Sequence, residues 1–297
     1  MNRVKCDRCL VGAPVIFLCT VHERRTWGRK QEAEEMSEKK IVFFDIDGTL
    51  WNWHNEIPES TIRAIRNLRQ NGHRAFLCSG RSRAYIQNPD LFAIGFDGVV
   101  SGCGTMIEYG GETIFYKKLD VDLVEHTVNT VRKYGMRPIL EGREYLYMDE
   151  REFAKDNYGK KLKAEIGPRL LTIADEWGRW EISKLSCATE TADREKCYEE
   201  LKDCFDFIIH DIPVTEFVPK GYHKGTGIAK VCEMLDTDIK DTIAFGDSAN
   251  DIGMFRAAGI GVAMGNSSED VKLEADYVTT PVMEDGIWKA CKHLELI

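Results

Sequence analysis

The chain has 297 residues, 43% of them hydrophobic, which is enough for two globular domains. Its net charge of -9 argues against a general nucleic-acid or membrane-surface partner, because both present negative charge themselves. Ten cysteines scattered through so large a chain, several of them inside apolar runs, read as reduced buried thiols of a cytoplasmic protein.

Residues 1–40 differ from the rest. They carry nine Lys and Arg against six Asp and Glu, so +3, which leaves -12 for the remainder. Arg3, Lys5 and Arg8 precede an apolar stretch, Leu10 to Val21, that superficially copies a signal peptide. Pro14 interrupts it, and His22-Glu23-Arg24-Arg25 follows in place of a small-residue cleavage site. The stretch is also shorter than the roughly 20 apolar residues of a membrane span. Cys6, Cys9, Cys19 and His22 form a CxxC and a CxxH, spacings that suit a tetrahedral zinc site, against the plainer reading of incidental cysteines in a tail. Residues 29–40 read as a charged linker or frayed helix, and Met36 offers an alternative start just before the first strand. The segment is expected to be a poorly ordered extension.

From residue 41 the pattern changes. Ile41-Val42-Phe43-Phe44 is an apolar run ending in Asp45, the signature of a buried parallel strand. Pro58 to Gly72 predicts a helix, with Ile62, Ile65 and Leu68 at helical spacing, and Ala75 to Cys78 predicts the next strand. Strand, helix and strand with short links make a βαβ unit. The middle of the chain reads otherwise: a helix over Val121–Tyr134, then antiparallel strands at Pro138–Leu140 and Tyr145–Met148. Trp180 to Leu185 alternates as a half-buried strand does. The first alternation returns later, with helices over Gly225–Leu235 and Ile252–Ala257 and strands over Thr242–Phe245 and Ile260–Ala263. The fold class is therefore α/β: a Rossmann-like, doubly wound parallel sheet from residues 41–120 and 213–297, interrupted by an α+β domain at 121–212.

Chemistry gathers at the strand ends. Asp45-Ile46-Asp47-Gly48-Thr49-Leu50 follows the first strand, and Gly246-Asp247-Ser248-Ala249-Asn250-Asp251 follows a later one. Ligands of open α/β sheets bind beyond the carboxyl ends of strands, so both acidic segments belong at that edge. Asp247 and Asp251 are hard oxygen donors suited to Mg²⁺. Ser79-Gly80, at a third strand end, and Lys224, at a helix start, add a hydroxyl and an ammonium to what becomes a phosphate cradle.

DIDGTL, CSGR, the lysine of His223-Lys224-Gly225 and GDSANDIGMF resemble, in that order, the four motifs of the haloacid dehalogenase superfamily. The insertion between Ser79 and Lys224 is similar to the cap of its Cof-like phosphatase branch, subclass IIB. The resemblance covers about residues 41–290. It implies that Asp45 is the nucleophile and forms an aspartyl-phosphate. It implies that Asp47 protonates the leaving oxygen and then activates water, its backbone carbonyl also touching the metal. Ser79, Gly80, Lys224 and Asn250 would bind the phosphoryl group, and Asp45, Asp47, Asp247 and Asp251 would make up the Mg²⁺ site, with Asn250 and Asp251 orienting phosphate and metal.

Weaker candidates surround this set. Lys220 competes with Lys224, but Gly225 and the apolar helix favour the latter. Trp51, Trp53 and His54 either touch substrate or pack the flap. Arg81 and Arg83 either reach phosphate or, the reading favoured, are solvated residues at a helix start; Arg143, Tyr145 and Tyr147 form a stripe that either faces the leaving group or, the reading favoured, is ordinary strand alternation. Cys78 and Cys103 lack a paired histidine and are not expected to be nucleophiles. The expected function is Mg²⁺-dependent hydrolysis of a small phosphorylated metabolite: a sugar phosphate, nucleotide or cofactor phosphate. The alternatives are a phosphohexomutase of the same superfamily and a non-catalytic phosphate-ligand-binding regulatory module. No nucleic acid or membrane is expected as a partner, and the sequence leaves the oligomeric state open.

Overall fold

The strand Ile41–Phe44 (β1) is buried at all four positions because both of its faces are covered. Val42 and Phe44 pack into one apolar cluster, Ile41 and Phe43 into another on the opposite side. The computed structural model describes residues 39–154, 157–190, 192–210 and 212–297. The candidate zinc ligands Cys6, Cys9, Cys19 and His22, and Met36, lie outside the described residues.

After β1 the chain runs through α1 (Glu59–Gln70), β2 (Arg74–Cys78), α2 (Pro89–Ala93), β3 (Gly98–Ser101), β4 (Met106–Tyr109) and β5 (Glu112–Tyr116). There follow α3 (Val121–Lys133), β6 (Arg137–Gly142), β7 (Leu146–Tyr147), α4 (Asn157–Ile166), β8 (Leu170–Leu171), β9 (Ile182–Ala188), α5 (Arg194–Leu201), β10 (Phe205–Ile209) and β11 (Val214–Pro219). The last stretch holds α6 (Lys224–Met234), β12 (Thr242–Gly246), α7 (Ile252–Ala257), β13 (Ile260–Ala263), α8 (Glu269–Lys272), β14 (Tyr277–Val278) and α9 (Gly286–His293).

The larger sheet has the order β14-β13-β12-β1-β2-β3-β4-β5. Its strands are parallel from β14 to β3, and β4 and β5 finish it as an antiparallel meander. Ala64, Ile65 and Leu68 of α1 and Ile287, Ala290 and Cys291 of α9 cover one face. Ile228, Val231 and Cys232 of α6 and Met254 and Phe255 of α7 cover the other. Each of the larger aliphatic and aromatic side chains among them contributes about 1.5–3 kcal/mol by leaving water. Helices on both faces make this the doubly wound α/β architecture expected of residues 41 onward.

A second sheet has the order β10-β11-β9-β6-β7-β8, antiparallel except for the β7–β8 pair. Its outer face carries α3 and α5, packed through Val124, Val128, Val131, Cys197 and Leu201. Two expectations change here. The strand Val214–Pro219, assigned from residue 213 to the first sheet, pairs with β10 and β9 in the second, so the expected boundary falls inside a hairpin. The half-buried alternation read at Trp180–Leu185 is instead a strand with all seven residues buried. Leu185 and Cys187 face the helices, while Lys184 is buried against the large sheet's edge loop, so polar and apolar residues alternate without either reaching solvent. Among the described residues no helix is long and apolar enough to cross a membrane.

Candidate active site

Strands β2, β1 and β12 lie side by side, with Phe44 opposite both Leu77 and Phe245. The residues that leave their carboxyl ends, Ser79, Asp45 and Asp247, therefore emerge at one edge. The Asp45 amide still donates to Phe245 O at 2.9 Å, so the pairing of β1 extends to Asp45 itself. Asp45 is 4% exposed and accepts Lys224 Nζ on Oδ1 at 2.6 Å.

Lys224 opens α6, whose start is set by a reciprocal cap between His223 and Thr226. Its ammonium is buried and also donates to Asp251 Oδ1 at 2.6 Å and to Asn250 Oδ1 at 3.1 Å. Burial works against that charge, but Asp251 and Asp45 outweigh it and hold the lysine well above its ordinary range. The alternative lysine, Lys220, is instead paired at the surface with Asp206 at 3.1 Å.

Asp45, Asp247 and Asp251 each bring a carboxylate oxygen into a group whose atoms all lie within 4.8 Å of one another. Crowding of like charges shows at Asp45 and Asp247. Burial first, and then Asp251, Asp247 and Asp47, push Asp45 well up against the pull of Lys224. Burial and Asp251 raise Asp247 to about 7, Lys224 and the Thr49 hydroxyl opposing. Asp251 is already fully engaged: Oδ1 by Lys224, Oδ2 by the Asp247 and Ser248 amides at 2.9 and 3.0 Å. Asp247 has a lone 3.2 Å bond from Thr49 Oγ1 among the described residues, so it and Asp45 keep oxygens free. Hard oxygen donors carrying surplus negative charge fit a small dication such as Mg²⁺.

Asp47 stands outside that group. Its carboxylate takes two bonds from Arg81, Nε at 2.7 Å and Nη2 at 2.8 Å, and one from Trp51 Nε1 at 3.0 Å. Burial pushes its carboxyl up, but the Arg81 charge and the bonds from Arg81 and Trp51 prevail and hold it below the usual carboxylate range. Arg81 is thus no solvated residue at a helix start. It forms a two-pronged pair with Asp47 and lies over the rings of Trp51 and Tyr85. Arg83 pairs with Glu108 at 2.7 Å instead.

Gly48, next to Asp47, adopts φ +81°, and a Cβ there would lie 2.2 Å from Asp247 Oδ2. Ser79 is buried and its Oγ accepts the Arg81 amide at 3.2 Å, so the hydroxyl proton remains to be donated. Asp45, Asp47, Ser79, Gly80, Asp247 and Asn250 share a cavity of about 340 Å³. Trp53 and Arg81 also line it, whereas Trp51 is buried as packing and Arg143, Tyr145 and Tyr147 are not among its walls. Cys78 and Cys103 are free and buried, and burial pushes the Cys103 thiol up to about 12, which rules out a ready thiolate.

The second sheet completes the cavity with residues that sequence reasoning missed. Lys184 donates to Gly80 O at 3.0 Å and to Glu216, and Glu216 Oε1 lies 2.8 Å from His210 Nε2. A signal existed: Lys184 and Glu141 are charged residues in the middle of buried strands, where charge is rare unless paired.

The chain matches the family model of haloacid dehalogenase-like hydrolases over residues 42–291. It is 34% identical over 263 residues to YkrA of Bacillus subtilis, provisionally named a phosphatase, covering 88% of this chain and 99% of that protein. It is 44% identical over 257 residues to a phosphoglycolate phosphatase of Methanosarcina acetivorans, covering 86% of this chain and 96% of that one. Among solved structures, a subclass IIB sugar phosphatase of the haloacid dehalogenase superfamily superimposes with a TM-score of 0.76 at 29% identity, covering 87% of this chain and 100% of the other. A match that runs through both sheets leaves one conclusion: the chain belongs to the haloacid dehalogenase-like hydrolase family.

Proposed function

We propose that the chain is a Mg²⁺-dependent phosphatase that hydrolyses the phosphate monoester of a small metabolite through an aspartyl-phosphate on Asp45. The observation that carries this reading is the convergence of Asp45 and Asp247, some two hundred positions apart in sequence, within one group of carboxylate oxygens that Lys224 bridges. Phosphoryl transfer asks mainly for positioning and charge stabilisation, which such a group supplies.

Lys224 holds Oδ1 of Asp45, which leaves the other oxygen without a hydrogen-bond partner among the described residues. That oxygen attacks phosphorus, the bond to the ester oxygen breaks, and Asp47 gives the departing oxygen its proton. Asp47 then takes a proton from water, whose oxygen attacks the same phosphorus and releases phosphate from Asp45. Ser79 donates its hydroxyl to a phosphoryl oxygen. Asn250, whose side-chain oxygen already accepts from Lys224 and Ser248, offers its NH₂. Asp45 and Asp247 would hold Mg²⁺, with Asp251 as the brace behind them. The ion would offset charge on the transferring phosphoryl group.

Hydrolysis of an aryl phosphate by the full chain, with and without Mg²⁺, tests the reading. Wild-type protein should turn over only with the metal, and Asp45→Asn should lose all measurable turnover while keeping its circular dichroism spectrum. Activity unchanged in that variant would refute Asp45 as the nucleophile. Free phosphate from a hexose 1-phosphate, as against its 6-isomer, separates hydrolysis from mutase chemistry.

A further inference from the structure

Next to the phosphate end of the site lies a chamber of about 230 Å³. It shares Gly80, Arg81, His210, Ile212 and Glu216 with the catalytic cavity, so the two adjoin. A monoester whose phosphorus sits at Asp45 has room for its alcohol portion there. The chamber's far wall is the core-facing side of the second sheet. Glu141 of β6 sits opposite Lys184 of β9, and Glu216 of β11 opposite Ser186, so strand register fixes all four side chains in one patch.

In that patch two carboxylates, Glu141 and Glu216, share one permanently charged side chain, Lys184. Lys184 directs its ammonium at Gly80 O and Glu216, and stands 3.5 Å from Glu141. His210 faces the other oxygen of Glu216. Arg81, the remaining cation in the wall, is committed to Asp47 at 2.7 and 2.8 Å. Among the described residues Glu141 therefore has a single ionic partner, at a distance beyond a good hydrogen bond, although it is 4% exposed. A buried carboxylate in that position is costly until something positive or richly protonated meets it.

We propose that the missing charge is brought by the substrate: the chamber selects a phosphate monoester whose alcohol portion carries an amine, such as an amino-sugar phosphate, with Glu141 receiving the ammonium. The inference rests on the phosphatase reading of the same site. Neutral polyol phosphates fit less well, since hydroxyls bring protons without charge. Leaving groups with a carboxylate or a second phosphate meet the Glu141 carboxylate and are rejected.

Glucosamine 6-phosphate and glucose 6-phosphate share one pyranose frame and differ only in the amine at C2, and 6-phosphogluconate, an open-chain acid, adds a carboxylate. With Mg²⁺ and the full chain, kcat/KM should fall in that order, by about tenfold or more at each step, the size of one charge-assisted hydrogen bond. In Glu141→Gln the amine-to-neutral ratio should collapse to about one, a ratio that partial misfolding does not alter. An equal or reversed order in the wild-type protein, or a ratio unmoved by Glu141→Gln, overturns the inference; if that variant does not fold, the wild-type order decides alone. Aryl phosphate separates the two failures. Aryl turnover with no amine preference sinks only the chamber assignment, while absence of turnover on every probe sinks the phosphatase reading with it.

Discussion

Gly48→Ala is the sharpest test of how the two acidic loops depend on each other. Gly48 has φ +81°, a conformation that costs a residue with a Cβ about 1–2 kcal/mol. The added methyl would sit 2.2 Å from Asp247 Oδ2 and 2.6 Å from its Cγ, against 3.4 Å for ordinary contact. Asp247 must therefore move by about 1 Å, because the glycine is pinned by its own bond to Trp51 O at 3.0 Å and by Asn266 on its carbonyl at 2.9 Å. Misplacement by about 1 Å at a reacting site costs on the order of 100-fold in rate. It also spoils the oxygen geometry that Mg²⁺ demands. We expect kcat/KM on an aryl phosphate to drop about 100-fold and the Mg²⁺ concentration at half-maximal rate to rise at least about tenfold. Strain of that size lowers Tm by only about 2–8 °C in a domain of this class, so calorimetry distinguishes a bent site from an unfolded one. A variant with wild-type Mg²⁺ dependence and a rate within threefold would show that Asp247 is not a ligand held against this loop.

Asp47→Asn should slow turnover by about 10²–10⁴-fold, the range of general acid–base catalysis, and let an acid-stable phosphoprotein build up, detectable by intact mass; normal turnover would remove Asp47 from proton transfer. Lys224→Met leaves Asp45 and Asp251 buried without their shared cation, and should cost about 3–5 kcal/mol of stability, read as a lower urea midpoint. A midpoint equal to wild type would mean that the acids are not charged together. Glu216, buried against Lys184 and His210, is held down at about 2, below the ordinary glutamate value. Because its folded pKa is depressed, the stability it adds is present above the ordinary value and is lost as pH falls through that window towards 2. The Tm gap between wild type and Glu216→Gln should accordingly be full at pH 6 and shrink on acidification, and a gap independent of pH would contradict this.

The first sheet was legible because its signals are local. The run Ile41–Phe44 is apolar on both faces and ends at Asp45, and β12 repeats the pattern before Asp247. The placement of both acids at one edge follows from parallel pairing, so catalytic candidates could be named from strand ends alone. What stayed hidden depends on contacts across the chain. Arg81 looks like a solvated residue beside Ser79, since nothing nearby in sequence announces a partner 34 positions back at Asp47. Lys184 sits in a strand whose alternation is real, but the face that normally meets water here meets the other sheet's loop through Gly80. The boundary at residue 213 failed for a related reason: β11 pairs with β9, across about thirty residues, a pairing periodicity does not encode.

The pair between Arg81 and Asp47 has a consequence for the proposed reaction. An aspartate held below its ordinary range is ionised at neutral pH, the right state for taking a proton from water and the wrong one for protonating a leaving group. The arrangement seen is thus set for the second half-reaction, and the first requires the pair to loosen. An arriving phosphate dianion would do this if one of its oxygens took the guanidinium of Arg81, which lines the same cavity, from Asp47. Each prong released weakens what keeps Asp47 charged, while burial, the opposing influence, persists and raises its proton affinity. On the proposed reaction, substrate binding and protonation of Asp47 would then be coupled.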